Sequence, residues 1–276
     1  EAWPVCRDAT ATTLSVADAR HRAAQSRHLR RRPGPGRRRH PYTLTDEERS
    51  QLPDFDFSEP HHLMRQPIPL IPVAQLYRRD VPDFTGPDDT DLLQVLWCSL
   101  DHPEEGYNPR VELFWRRSGE VGRLLTSPPE PPVVNDSYVP NTCTVTPEQV
   151  QEYQYADLLP EQLQKRITLW ENGSDESIPS YQSDLSLAPG WKVGGFANWS
   201  LSDPMPMNCA ECGTALTLLF TADSGEWEGR DGSWRPAEEP PNASSDPAGV
   251  TIGRGYALYV FRCPTSFDHP HATVMQ

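Results

Sequence analysis

Residues 92–98 have the sequence Leu92-Leu-Gln-Val-Leu-Trp-Cys98, a nearly continuous apolar run. Asp88-Asp89 precede this run and Asp101-His102-Pro103 follow it. An apolar run of this length between turn-forming residues is typical of a β-strand that is buried on both faces. Residues 111–115 alternate more nearly between apolar and polar side chains. They predict a second strand of the same sheet.

Further strands are predicted on both sides of this pair. Residues 68–77 mix β-branched side chains with prolines, which favours an edge strand because proline cannot donate a ladder hydrogen bond. Strands are also expected at residues 215–221 and 256–262, joined by a long surface loop over residues 224–248 that is rich in Gly, Pro and acidic residues. The predicted fold class is therefore α+β, a β-rich mixed fold with short helices.

Three short helices are predicted from their start signals. Residues 45–48 and 146–149 each place a capping Thr three residues before Glu or Gln. A longer helix follows Pro160, where Leu163, Ile167 and Trp170 recur at helical spacing before Asn-Gly ends the pattern.

The charge is unevenly distributed along the chain. The 276 residues carry a net charge of −14, which excludes a general nucleic-acid binder. Residues 1–40 contain ten Arg and three acidic residues, so residues 41–276 carry −21. We expect an Arg-rich disordered tail over 1–40, either a solvated arm or sequence outside the native protein. Residues 41–276 are expected to form a single domain, in which two similar halves, about 60–140 and 185–276, would indicate an internal duplication.

The sequence also bears on location. No apolar run approaches the roughly 18–20 residues of a membrane span, and no segment has the pattern of a secretory signal. We therefore expect a soluble, cytoplasmic protein without a membrane partner. A framework of disulfides is not expected in that compartment.

The strongest chemical signal is a pair of cysteines at residues 209–213, which have the sequence Cys-Ala-Glu-Cys-Gly. Such a turn can place two sulfurs at adjacent vertices of a tetrahedral zinc site. A third sulfur and two imidazoles follow the predicted strand at 256–262. The candidate zinc ligands are Cys209, Cys212, Cys263 and either His269 or His271. Four protein ligands would make the zinc structural, whereas the alternatives are a ligand set that binds no metal and a redox-active dithiol.

Two other arrangements allow competing interpretations. Gly194 and Gly195 can form an aromatic groove for a partner's backbone, or a glycine turn packed by its own aromatic residues, Trp191, Phe196 and Trp199. Cys98 and His102 can be a thiol nucleophile and its base, but a Cys at the end of a buried strand favours a role in the core.

Several motifs together resemble the YwqG-like family over about residues 60–276. They are Pro72-Val-Ala-Gln-Leu, residues 91–98, Lys192-Val-Gly-Gly-Phe, Cys209-x-x-Cys-Gly, residues 217–224 and Tyr259-Val-Phe-Arg-Cys. The resemblance implies an α+β fold with large β-sheets, related to the C-terminal domain of programmed cell death protein two. It also implies protein or peptide binding, with a toxin-neutralising or chaperone-like role. No catalytic residues are carried over from the family.

The function expected from these features is a non-enzymatic module that binds a basic protein or peptide. The acidic charge of residues 41–276 would attract such a partner. One alternative is an enzyme with a Cys/His metal site. Another is a nucleic-acid-associated factor that uses the basic segment Arg30–Arg39.

Overall fold

The computed structural model describes residues 3–7, 67–81, 84–126, 128–132, 134–173, 179–227, 234–240 and 242–276. The described residues group into two compact units. The first lies within Glu1–Val73, Leu96–Glu112 and Leu125–Val139, and the second within Ala74–Val95, Leu113–Leu124 and Pro140–Gln276. The units thus interleave along the chain.

Strands make up most of the regular secondary structure of the described residues. The strands are β1 (Val5–Cys6), β2 (Ile68–Pro69), β3 (Ile71–Tyr77), β4 (Leu92–His102), β5 (Asn108–Arg116), β6 (Lys192–Val193), β7 (Thr217–Asp223), β8 (Ala257–Arg262) and β9 (Ala272–Met275). They form three small sheets with the orders β1-β2, β3-β4-β5 and β6-β7-β8-β9. An α-helix, α1 (Glu161–Asn172), and several single helical turns complete the described elements. The prediction of a β-rich mixed fold with short helices is confirmed.

The first strand corrects one expectation from the sequence. Within residues 3–7, β1 pairs antiparallel with β2, and Cys6 lies opposite Ile68. Cys6 is buried. The prediction of disorder over residues 1–40 is therefore wrong for this segment, because a strand partner satisfies its backbone and its thiol is removed from water. Residues 8–40 lie outside the described residues.

In the first unit, the end of β4 is covered by a turn at Asp136–Tyr138. The indole Nε1 of Trp97 donates to the carbonyl of Tyr138 at 2.9 Å, and the two rings meet edge to face. The Tyr138 hydroxyl in turn donates to the Asp101 carboxylate at 2.6 Å. These contacts explain why β4 continues to His102, four residues past the predicted strand end.

The second unit is built around the four-stranded antiparallel sheet. Strand β8 lies between β7 and β9, and five of its six residues are buried. Thr221 and Val274 flank Tyr259 on the neighbouring strands. One buried cluster of this unit comprises Ala197, Trp199, Ala257, Tyr259 and Phe261. The strands predicted at 215–221 and 256–262 are confirmed, with β7 beginning two residues later than predicted.

The helix predictions have three different outcomes. Helix α1 confirms the prediction made from Leu163, Ile167 and Trp170, although none of its residues is buried. The helix predicted at 146–149 is wrong, since these residues have no regular structure. Four residues after this segment, the N–H of Tyr153 donates to the carbonyl of Ser186 at 2.8 Å. Tertiary context often overrides a local helix signal. The helix predicted at 45–48 lies outside the described residues.

The remaining connections agree with the sequence. The described parts of residues 224–248 contain turns and no helix or strand, as expected for a long loop. Among the helices in the described ranges, none combines the length and the apolar character needed to cross a bilayer.

Candidate metal centre

Four potential metal ligands converge in the second unit. The sulfurs of Cys209, Cys212 and Cys263 and a ring nitrogen of His269 all lie within 4.8 Å of one another. The Cys209 sulfur is 3.6 Å from Nδ1 of His269, and the Cys212 sulfur is 3.6 Å from the Cys263 sulfur. Of the two histidines that the sequence allowed, His269 joins this group and His271 does not. These four residues could hold a metal ion.

The spacing of the four atoms fits a tetrahedral ion. With Zn–S bonds of about 2.3 Å and Zn–N bonds of about 2.0–2.1 Å, tetrahedral angles place two sulfurs about 3.8 Å apart and a sulfur and a nitrogen about 3.6 Å apart. Both 3.6 Å separations are close to these values. A disulfide would require about 2.05 Å between sulfurs. All three cysteines are free thiols.

A tight turn positions the first two sulfurs. The N–H of Gly213 donates to the carbonyl of Cys209 at 2.8 Å, and the N–H of Cys209 donates to the carbonyl of Thr214 at 2.8 Å. Gly213 has a φ of +71°, in the left-handed region that glycine adopts without strain. The Cys-x-x-Cys-Gly pattern therefore serves both the turn and the ligand pair.

The third sulfur lies at the end of β8, where the chain turns again. Burial raises the pKa of the Cys263 thiol, but backbone N–H groups of Ser266 and Thr265, with His269 and Cys212, hold the pKa at about 6. The Thr214 hydroxyl lies 3.4 Å from the Cys212 sulfur and lowers the pKa of that thiol. These hydrogen bonds favour thiolates, which are the forms that bind metals.

Ring contacts fix the segment that carries His269. Phe267 meets Trp115 edge to face, with ring centroids 5.1 Å apart, and the Arg262 guanidinium lies 4.6 Å from the centre of the Phe267 ring. Arg262 also donates to the Thr85 hydroxyl at 3.0 Å. This anchoring two residues before His269 helps to explain why that imidazole, and not His271, faces the sulfurs.

The predicted partner-binding residues have different environments. Trp199 is only 6% exposed and stacks on Phe261 in the core of the second unit. The expectation that Trp199 is a surface anchor is therefore wrong, because its ring already packs against the chain's own sheet. Trp191 is half-buried: its Nε1 donates to the Asp223 carbonyl at 2.8 Å, and its ring meets Phe220 edge to face.

The two glycines form a turn after β6. Gly194 and Gly195 have φ of +73° and +76°, so both need the conformational freedom of glycine. Gly195 is exposed and the neighbouring Phe196 is half-buried. A Cβ on Gly195 would collide with the Glu152 carboxylate. The turn is thus packed against the chain itself, while Gly195 and parts of Trp191 and Phe196 remain accessible.

Glu152 is a residue that the sequence analysis missed. Its carboxylate accepts hydrogen bonds from the N–H groups of Ala188 and Phe196 at 2.8 and 2.9 Å, and from the Lys192 ammonium at 2.5 Å. The Glu152 side chain is 5% exposed and the Lys192 side chain 13%. This buried ion pair holds the turn that contains Gly194 and Gly195. A lone Glu in a polar segment offers no sequence signal for such a role.

A second group of ligand-type residues lies in the first unit. Cys6, Cys98 and His102 are all buried, and their ligand atoms lie within 4.8 Å of one another. A hydrogen bond with Cys98 is the largest influence on the pKa of the Cys6 thiol and lowers it, whereas the same hydrogen bond and burial raise the pKa of the Cys98 thiol. The sequence analysis considered Cys98 and His102 but missed Cys6, because it assigned residues 1–40 to a disordered tail.

The described residues thus contain two groups that could hold a metal ion, and one buried ion pair beneath a glycine turn. Comparison of the chain with protein-family models, with curated proteins and with solved structures finds no match.

Proposed function

We propose that the protein is a non-enzymatic module for a basic protein or peptide, and that Cys209, Cys212, Cys263 and His269 stabilise it by binding a structural Zn²⁺ ion. The observation that carries the metal assignment is the convergence of four ligand atoms within 4.8 Å. Four protein ligands complete a tetrahedral sphere and leave no position for a substrate.

The ligand chemistry favours zinc among the common ions. Thiolate and imidazole ligands suit Zn²⁺, whereas Mg²⁺ and Ca²⁺ prefer oxygen ligands. Three sulfurs and one imidazole make up this group. The ion would link the turn at residues 208–215 to the segment that follows β8. Its binding free energy would then add to the stability of the second unit.

Charge and exposure support the binding role. The net charge of −14 attracts basic partners over long range and speeds their encounter. Gly195 is exposed, and Trp191 and Phe196 are partly accessible at the turn held by Glu152. Tryptophan is among the residue types that are enriched at the positions contributing most to binding at protein interfaces. The resemblance to the YwqG-like family implies the same kind of role, toxin-neutralising or chaperone-like.

The zinc site is tested by measuring metal content. We expect Cys209→Ser and Cys263→Ser each to lower the zinc content of the purified full chain by one ion. Cys143 is an exposed cysteine outside both ligand groups, so Cys143→Ser is the matched control and should leave the content unchanged. Unchanged zinc in both site variants would contradict the assignment.

The binding role is tested with defined probes. An arginine-rich peptide should bind the full chain with an affinity that falls as salt is added, and a glutamate-rich peptide of equal length should not bind. Trp191→Ala should weaken this binding, whereas Trp170→Ala, on α1, should not. Equal binding of the two peptides, or no effect of Trp191→Ala, would count against the proposed surface.

A further inference from the structure

The buried group in the first unit brings together residues that are far apart in the sequence. Cys6 lies on β1, while Cys98 and His102 lie on β4. Cys98 and His102 are four residues apart, so both side chains belong to the same face of the strand. Cys6 is 3% exposed and the other two are fully buried. The three ligand atoms lie within 4.8 Å of one another.

The hydrogen bonding of the His102 ring is typical of an imidazole that binds a metal ion. Nδ1 of His102 lies 3.3 Å from the Glu104 carboxylate. Nε2 lies 3.9 Å from the Cys6 sulfur. In metal sites, the ring nitrogen that does not bind the ion typically donates to a carboxylate, which fixes the tautomer and the ring orientation. Glu104 therefore leaves Nε2 as the nitrogen directed at the sulfurs.

The nearest cation does not prevent an ion from binding. Nη1 of Arg110 lies 3.9 Å from the Cys6 sulfur. The same guanidinium is paired with Glu104 at 3.0 Å and with Glu105 at 2.5 Å. Two carboxylates thus offset its charge, so the guanidinium does not exclude a cation from the site.

We infer that Cys6, Cys98 and His102 form a second metal site, which takes a thiophilic d¹⁰ cation. Two sulfurs and one imidazole suit Zn²⁺ or Cu⁺. A role as a reactive thiol is less consistent with the site, because such thiols are accessible to their oxidant or substrate and these sulfurs are buried. The ion would attach residues 3–7 to the end of β4.

The test is equilibrium dialysis of the reduced, metal-free full chain against Zn²⁺, followed by measurement of bound metal per chain. We expect two ions for the wild-type chain and one each for Cys98→Ser and Cys209→Ser. The double variant should bind none, and Cys143→Ser should bind two. A parallel dialysis against Cu⁺ under reductant distinguishes the two cations. Cys209→Ser keeps only the second site, so the preferred ion should stay bound to this variant in the presence of a chelator that removes the other ion.

Several results would overturn the inference. One ion per wild-type chain that is lost in Cys209→Ser and kept in Cys98→Ser would do so, whereas the reverse pattern would overturn the Cys209 site instead. Two ions that both persist in folded Cys98→Ser and Cys6→Ser would also do so. Circular dichroism establishes whether each variant is folded. If the serine variants are unfolded, the wild-type chain provides the test. Alkylation of Cys6 and Cys98 should be slower with bound metal than in the metal-free chain. Equal rates would refute the site.

Discussion

Removing the carboxylate of Glu152 should strongly destabilise the second unit. This carboxylate accepts three hydrogen bonds of 2.5 to 2.9 Å, and its side chain is 5% exposed. Hydrogen bonds to charged groups each contribute about 1.5–3 kcal/mol, and breaking a buried ion pair costs about 3–5 kcal/mol. In Glu152→Ala, the Lys192 ammonium keeps its bonds to the carbonyls of Ala188 and Phe196. We therefore expect a loss near the lower limit, about 3 kcal/mol.

The assay is equilibrium unfolding in urea, followed by circular dichroism, with a double-mutant cycle. Lys192→Met removes the other charge, and the double variant should be less destabilised than the sum of the single variants. Glu161→Ala provides the matched control. Glu161 pairs with Lys165 at the same 2.5 Å, but those side chains are 79% and 70% exposed. An exposed pair of this kind contributes less than about 1 kcal/mol.

The comparison sets a buried carboxylate with three hydrogen bonds against an exposed one, because the two ion pairs share charges and distance. Equal losses of stability in Glu152→Ala and Glu161→Ala would refute the reasoning. A double variant whose loss equals the sum of the single losses would show that the Glu152 and Lys192 charges do not interact.

Three further outcomes are expected. Trp199→Ala should lower the free energy of unfolding by about 3–5 kcal/mol because it empties a core position, while Trp170→Ala, on exposed α1, should cost far less in the same urea assay. Burial raises the pKa of Glu226. Below the unfolded-state pKa, Glu226 is protonated in both states and burial costs nothing, whereas stability is lost as pH rises through the folded-state pKa. Glu226→Gln should therefore raise the thermal midpoint at neutral pH and leave it nearly unchanged in acid. A lower midpoint at neutral pH would contradict this. A zinc chelator should lower the thermal midpoint of the wild-type chain but have less effect on Cys263→Ser, and equal shifts would argue against a metal at that site.

Strands β4, β5, β7 and β8 were predictable from the sequence because their apolar or alternating runs are bounded by polar or turn-forming residues, whereas β1, β6 and β9 were not predicted. The end of β4 was not, since Asp101 and His102 read as a turn. Asp101 accepts a hydrogen bond from Tyr138, and Nε2 of His102 lies 3.9 Å from the Cys6 sulfur, so distant partners support the longer strand. The capping pattern at 146–149 failed because a local pattern is a weak signal that the tertiary context often overrides.

Local motifs likewise predicted only part of the candidate sites. The Cys209 turn was evident because its two sulfurs are three residues apart. The choice of His269 depends on packing around Phe267, which no local pattern encodes. Cys6 lies 96 positions before His102, so only the folded chain brings them together. The burial of Trp199 likewise depends on its contact with Phe261, since an aromatic side chain suits a core and a surface anchor equally well.

The spacing of the ligands in the second unit has a consequence for a cleaved chain. Cys212 and Cys263 are 51 positions apart, and the strands before and after the intervening loop pair with each other. A protease that cut the backbone between residues 224 and 256 would leave two fragments joined by the β7-β8 ladder and by any ion held at the candidate metal centre. The nicked protein would migrate as one species on a native gel, and a chelator would promote its separation. The two fragments, expressed separately, would then be natural halves for a metal-dependent split reporter.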